Sequence, residues 1–241
     1  MLLSRGTPWG RFIFKPRAHF KTAPSCLILN HLSSSSNPRD PLIYPDAPST
    51  NHSDLGSFLS YAERTGLDAK STVYVGTHYE YTVARSLSRY GISLRRVGGS
   101  SDRGTDLLGV WDLPQTNTSL RVLVQCKAGV SQGVGPQYVR ELEGAFAGAP
   151  PGWRGTEGVM AFLVGMKPAT KGVRDALGRS RLPMGFVCCA GDGTVRQMLW
   201  NGRAEAERLE GWGAVMRYGS EGQELVLAKN GRPVSLLEPK G

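Results

Sequence analysis

Cysteine is scarce in this chain and wrongly spaced for metal binding. Cys26, Cys126, Cys188 and Cys189 contain no C-x-x-C pair, and of the four histidines only His78 lies in the region expected to fold, which argues against a zinc centre. The thiols are expected to be free, as in a reducing compartment. Long apolar runs are also missing: none approaches the roughly 18 residues of a membrane-spanning helix, so no transmembrane segment is expected. One histidine and no G-x-S-x-G elbow leave little for a Ser/His/Asp triad. Neither Gly66–Thr72 nor Gly98–Gly104 completes a Walker pattern, and the second stretch reads as a turn or, less simply, an amide nest.

Acidic residues are absent from the first 39 positions, which carry six Lys and Arg. The net charge of +9 therefore shrinks to 23 basic against 20 acidic residues over 40–241. The pI alone is a poor argument for nucleic-acid binding, because a segment removed on import adds nothing to the mature surface. Arg5, Arg11, Lys15, Arg17 and Lys21 alternate with Leu, Trp, Ile and Phe and run into Ser33–Ser36, the composition of a mitochondrial targeting segment. The plainer alternative is a basic tail.

The full chain has 40% hydrophobic content, enough for a real core. Residues 40–70, rich in Pro, Ser, Asn and Asp, read as a linker with a short helix at Ser57–Arg64. Residues 71–200 read as the core domain and 201–241 as a C-terminal extension with a short helix and weak strands. Within the core, Tyr79, Val83, Leu87 and Tyr90 share one side of a helix opening near Thr77, and Ile92–Val97 is a first strand. Pro136–Phe146 is a helix with Val139, Leu142 and Phe146 at core spacing. Gly158–Met166 is a buried strand, and Lys167–Arg181 a basic helix that either contacts phosphates or is simply solvated. Met184–Ala190 and Val195–Trp200 form a hairpin about Gly191-Asp192-Gly193.

The informative stretch is Gly104–Trp111 followed, across a polar gap, by Leu120–Lys127. As an antiparallel hairpin, paired positions sum to about 232, which sets Asp106 opposite Cys126 to within a residue of register. Gln125 and Lys127 then share a face, with Val122, Val124 and Cys126 on the other. An Asp and a Lys in apolar strands are costly to bury and need each other or a task. Glu80 is either aimed at the sheet or closes a Thr77-x-x-Glu80 capping box. Arg140, Glu141 and Glu143 default to a solvated helix face. A helix acid, a strand Asp and a polar-x-Lys pair suit one or two hard cations, magnesium or manganese, beside an ammonium group. Hydrolysis of a nucleic-acid backbone is the reaction those parts fit.

Asp106 with Gln125-Cys126-Lys127, preceded by helical Glu80, resembles the Asp…Gln-x-Lys version of the PD-(D/E)XK nuclease superfamily, especially its Mrr-like restriction-endonuclease branch. More closely, four motifs together are similar to the fungal mitochondrial family "required for respiratory growth protein 7": Gly76-Thr77-x-Tyr79-Glu80, Gly98-Gly99-x-x-Asp102-x-Gly104-x-Asp106-Leu107-x-Gly109-x-Trp111, Gln125-Cys126-Lys127 and Arg140-Glu141-Leu142-Glu143-Gly144. The resemblance implies an α/β, restriction endonuclease-like αβββαβ core with a mixed central sheet flanked by helices, and residence in the mitochondrial matrix. It also implies a nuclease-like site acting on DNA ahead of RNA. On that analogy Asp106, Gln125, the Cys126 carbonyl and Glu80 ligate Mg²⁺ or Mn²⁺, and Lys127 is the catalytic lysine. Gln125 stands where many members carry an acid, which weakens cation binding unless Glu80 or Glu141 compensates. The alternative is a catalytically silent nucleic-acid-binding or assembly factor in which Asp106 and Lys127 form a structural ion pair. Folds of this kind often work as homodimers, although no self-association patch stands out in the sequence.

Overall fold

The computed structural model describes residues 42–98, 104–129, 133–155, 157–219 and 222–235. The targeting segment expected over 1–39, and residues 99–103 of the turn expected over Gly98–Gly104, with Asp102, lie outside the described residues.

Helix α1 (Leu55–Thr65) occupies part of the segment expected to be a linker. Its start is fixed by a reciprocal cap, the Ser57 amide donating to Asp54 Oδ1 at 2.8 Å and the Asp54 amide to Ser57 Oγ at 3.1 Å. Phe58 and Ala62 are buried, Phe58 against Tyr74 and Tyr81 of helix α2 (Thr72–Ser88), so folding begins well before Ser71. Ser71 caps α2 by accepting from the Tyr74 amide at 3.2 Å. Thr77 is therefore mid-helix and buried, which rules out the Thr77–Glu80 capping box. A cap requires unpaired first-turn amides, and those belong to the turn after Ser71.

Strands β1 (Ile92–Arg96), β2 (Leu107–Asp112), β3 (Ser119–Lys127), β4 (Val159–Gly165), β5 (Met184–Cys189) and β6 (Val195–Trp200) form one sheet in that order. With helix α3 (Pro136–Ala147) between β3 and β4, the run from α2 to β4 has the order αβββαβ. The sheet is mixed: β1–β2–β3 are antiparallel, β3–β4–β5 parallel, and β6 returns antiparallel to β5. Every residue of β4 is buried, as its unbroken apolar run requires for a strand covered on both faces. Gly109 in β2 is held to glycine by backbone proximity, since a Cβ there would lie 1.9 Å from the Ser93 carbonyl oxygen.

Two cores flank the sheet. On one face Tyr79, Val83 and Leu87 of α2 pack with Trp111, Val122, Val124 and Phe162. On the other, Val139, Leu142 and Phe146 of α3, with Val173 and Leu177 of helix α4 (Lys171–Arg179), pack on Leu108, Leu123, Leu163 and Phe186. Helix α4 starts at Lys171, later than expected. Pro168 biases Lys167 away from helical backbone, and Thr170 supplies the cap by accepting from the Val173 amide at 3.3 Å.

The C-terminal segment is not an appendage. Strands β7 (Trp212–Gly219), β8 (Gly222–Lys229) and β9 (Arg232–Pro233) form a second sheet whose Leu225, Leu227 and Val234 join the α2-side core. No helix among the described residues is long and apolar enough to cross a membrane.

Candidate functional site

Paired positions of β2 and β3 sum to 231, as in Leu107↔Val124 and Leu108↔Leu123, one residue from the expected register. Asp106 extends this end of the sheet. Its amide donates to the Val124 carbonyl at 3.0 Å, and its own carbonyl accepts from the Val97 and Gly98 amides at 2.9 Å each. Val97 packs with the α3-side core, and Asp106, paired with it by backbone, takes the same face. The Asp106 carboxylate Oδ2 accepts the Cys126 amide at 2.6 Å.

Cross-strand from Asp106, Gln125 is 5% exposed, and its Oε1 has no hydrogen-bond partner among the described residues. An orphaned buried acceptor costs about 1–3 kcal/mol. The amide lies against Gly104, where the backbone adopts φ +83° and an added Cβ would approach Nε2 to 3.1 Å. Two residues on, Lys127 Nζ meets Glu141 Oε2 of α3 at 3.0 Å and sits 4.5 Å from the centre of the Tyr138 ring. The sequence points to Asp106 as the carboxylate for this lysine, with Glu141 by default on a solvated helix face and only secondarily at the site. In the fold, β3 delivers Lys127 to the first half of α3.

Glu80 approaches from the other side of the sheet. It forms an ion pair with Arg96 at the end of β1, with side chains only 13% and 15% exposed, and Arg96 also lies 6.0 Å from the Tyr81 ring centre. The structure thus brings Asp106, Gln125 and Lys127 to the α3 face and leaves Glu80 on the α2 face with its own cation. Arg96 and Tyr138 were not foreseen. Arg96 had a signal, being a cation two residues before Gly98 at a strand end, but its sidedness depends on how α2 is rotated.

Cys126 pairs in register with Val164 of β4, and its side chain packs on the α2 side. Its thiol pKa is pushed well above the usual value, mainly by burial and further by the carboxylates of Asp106 and Glu80 and by Cys189, against a lowering by Lys127. The sulfur is a packed, protonated group rather than a nucleophile.

Among the described residues no group of three or more His, Cys, Asp or Glu side chains could hold a metal ion. The Asp106 carboxylate and the Gln125 amide stand on neighbouring strands and on one face of the sheet, and oxygen donors of these kinds suit a hard cation. The unpartnered Gln125 Oε1 fits such a ligand, since a cation satisfies the acceptor without requiring a donor.

The fold is a mixed α/β sheet flanked by helices, with a polar cluster where β1, β2 and β3 meet. The family described as "Required for respiratory growth protein 7" matches residues 71–119 and 114–218, and the chain belongs to that family. An uncharacterized mitochondrial protein of Schizosaccharomyces pombe is 31% identical over 162 residues, covering 66% of this chain and 63% of that protein. Proteins named "Required for respiratory growth protein 7, mitochondrial" from Vanderwaltozyma polyspora and Saccharomyces cerevisiae are 32% and 30% identical, over 46% and 36% of this chain and 60% and 53% of theirs. The chain thus spans roughly half to three fifths of its curated relatives, which are named as mitochondrial. The restriction endonuclease FokI overlaps at a TM-score of 0.33 and 15% identity, over 56% of this chain and 26% of that one, too loosely to bear on function.

Proposed function

We propose that this protein is a mitochondrial, metal-dependent phosphodiesterase of the PD-(D/E)XK type that acts on nucleic acid, DNA ahead of RNA, in the maintenance or expression of the matrix genome. The observation that carries the reading is Gln125 Oε1, a buried acceptor with no donor among the described residues, lying cross-strand from a carboxylate and two residues before a lysine. Asp106, Gln125 and the Cys126 carbonyl would hold Mg²⁺ or Mn²⁺, with Glu80 joining only if it leaves Arg96. When bound, the ion neutralises phosphodiester charge and acidifies a water.

The chain's own residues do the positioning. The Cys126 amide fixes the Asp106 carboxylate, and Glu141 and Tyr138 steady the Lys127 ammonium, which is 29% exposed and so accessible to a phosphate oxygen or to the attacking water.

A second reading is favoured by the Glu80–Arg96 and Lys127–Glu141 pairs, since the helix acid and the lysine already have protein partners. In it the chain is a catalytically silent nucleic-acid-binding or assembly factor. Incubation of the full chain with duplex, single-stranded and branched DNA and with RNA separates the two. Cleavage with Mg²⁺ or Mn²⁺ that stops in chelator supports the enzyme; intact substrates throughout leave the silent factor.

A further inference from the structure

Residues 40–241 hold 23 basic and 20 acidic side chains, and the segment 167–181 alone holds five basic and one acidic, so removing it leaves 18 against 19. The whole positive excess of this region therefore sits on one helix and its flanks. Lys167, Lys171, Arg174, Arg179 and Arg181 are all exposed, and the single acid, Asp175, is engaged by Lys171 at 2.7 Å.

The position of this helix matters more than its charge. α3 and α4 lie side by side with the same polarity. Gly172 lies near Pro136 at their N-terminal ends, where an added Cβ would meet its ring at 3.6 Å, and Ser180 donates to Glu143 at 2.6 Å at their C-terminal ends. Both helices cover the sheet face that carries Gln125. β3 and β4 are parallel with Lys127 in register with Gly165, so Lys167 leaves the sheet at the edge where Lys127 ends.

We propose that the exposed face of α4 with its flanking residues, Lys167 to Arg181, is a track for the phosphate backbone of nucleic acid leading to Lys127. This rests on the phosphodiesterase reading for its direction but not for the binding itself. An anionic membrane is the other polyanion such a helix could meet. A membrane-surface helix needs large apolar side chains beside its cations, and the exposed large hydrophobic residues, among them Ile43, Leu59, Val73 and Tyr218, all lie outside 167–181.

The test uses the full chain in chelator, so that cleavage plays no part. Binding to a labelled DNA duplex is followed by fluorescence anisotropy across a salt series for wild type, Lys167→Ala/Arg174→Ala/Arg179→Ala, and a charge-matched control, Arg196→Ala/Arg203→Ala/Arg232→Ala. The α4 variant should bind about tenfold or more weakly at moderate salt, and its log K against log salt slope should flatten by up to about 2.7 for three lost phosphate contacts. The control should match wild type, and circular dichroism should be unchanged in both. Equal loss in both variants, no loss in the α4 variant, or wild-type binding only to cardiolipin vesicles and not to DNA would overturn the proposal. The phosphodiesterase reading fails separately, if DNA bound through α4 is never cut when metal is supplied.

Discussion

The backbone amide of Cys126 donates to the Asp106 carboxylate at 2.6 Å, so the strand carrying Gln125 and Lys127 also holds the acid facing them. Asp106→Asn keeps an acceptor for that amide and removes only the charge. In metal-free buffer the variant should unfold within about 1–2 kcal/mol of wild type, the difference between a charge-assisted and a neutral hydrogen bond. On the metal-dependent reading, Mg²⁺ should raise the Tm of wild type and leave that of the variant unchanged. Paired melts with and without Mg²⁺ measure both; an undiminished Mg²⁺ shift removes Asp106 from the ligand set.

Glu80 and Arg96 form a largely buried pair, so removing one partner strands the other. Glu80→Gln should cost about 3–5 kcal/mol in urea unfolding, and adding Arg96→Met should recover much of the loss. A cost below 1 kcal/mol for the single variant would mean that the pair is held loosely enough for Glu80 to turn toward the site.

Gly109 has no room for a side chain, with backbone atoms of Ser93 and Leu94 within 3 Å of a Cβ. Gly109→Ala must part β1 from β2 locally, and overpacking against backbone costs about 1–3 kcal/mol or more. Amide exchange across Ile92–Arg96 should accelerate well before exchange in β4.

His52 sits among Phe58, Tyr61 and Tyr81, with its Nδ1 2.9 Å from the Tyr81 hydroxyl. Burial and then the Arg96 charge lower its pKa below the ordinary 6.5, against a raising by Asp54. Because the folded state resists protonation, the unfolded chain binds the extra proton first. The His52 contribution is complete above about pH 6.5 and is lost as pH falls below it. Tm measured from pH 8 to 5 should drop more steeply in wild type than in His52→Gln; parallel curves would show that His52 titrates alike in both states. Asp54, whose carboxyl is lowered mainly by the Ser57 amide, acts only below about pH 4, outside that window.

Strands β2 to β5 can be read from the sequence because each holds a short apolar run between turn residues, and β4 is plain because both of its faces are covered. The β2–β3 register was one residue off, since a polar gap of six residues does not fix a hairpin as a two-residue turn does. The start of α2 is hidden in the sequence because Val73 and Val75 are weak helix formers and the cap, Ser71, sits in a polar stretch resembling linker. The second sheet was read as weak because Gly213, Gly219 and Gly222 and several charges interrupt it, while its stability comes from Leu225 and Leu227 packing on a core built far away in sequence. Within the site, the shared face of Gln125 and Lys127 followed from strand alternation. The separation of Glu80 from them did not, because it depends on which side of the sheet α2 packs.

On the phosphodiesterase reading, Lys127 serves chemistry rather than stability. Its ion-pair partner Glu141 is half exposed and Lys127 itself is 29% exposed, so Lys127→Ala should change unfolding free energy by less than about 1 kcal/mol. The most direct measurement is single-turnover cleavage of DNA in Mg²⁺ by wild type and Lys127→Ala, each first shown to be folded by its melt. Wild type should cut, and the variant should be slower by at least about a hundredfold. Equal rates in both proteins, or a variant that fails to fold, would contradict it.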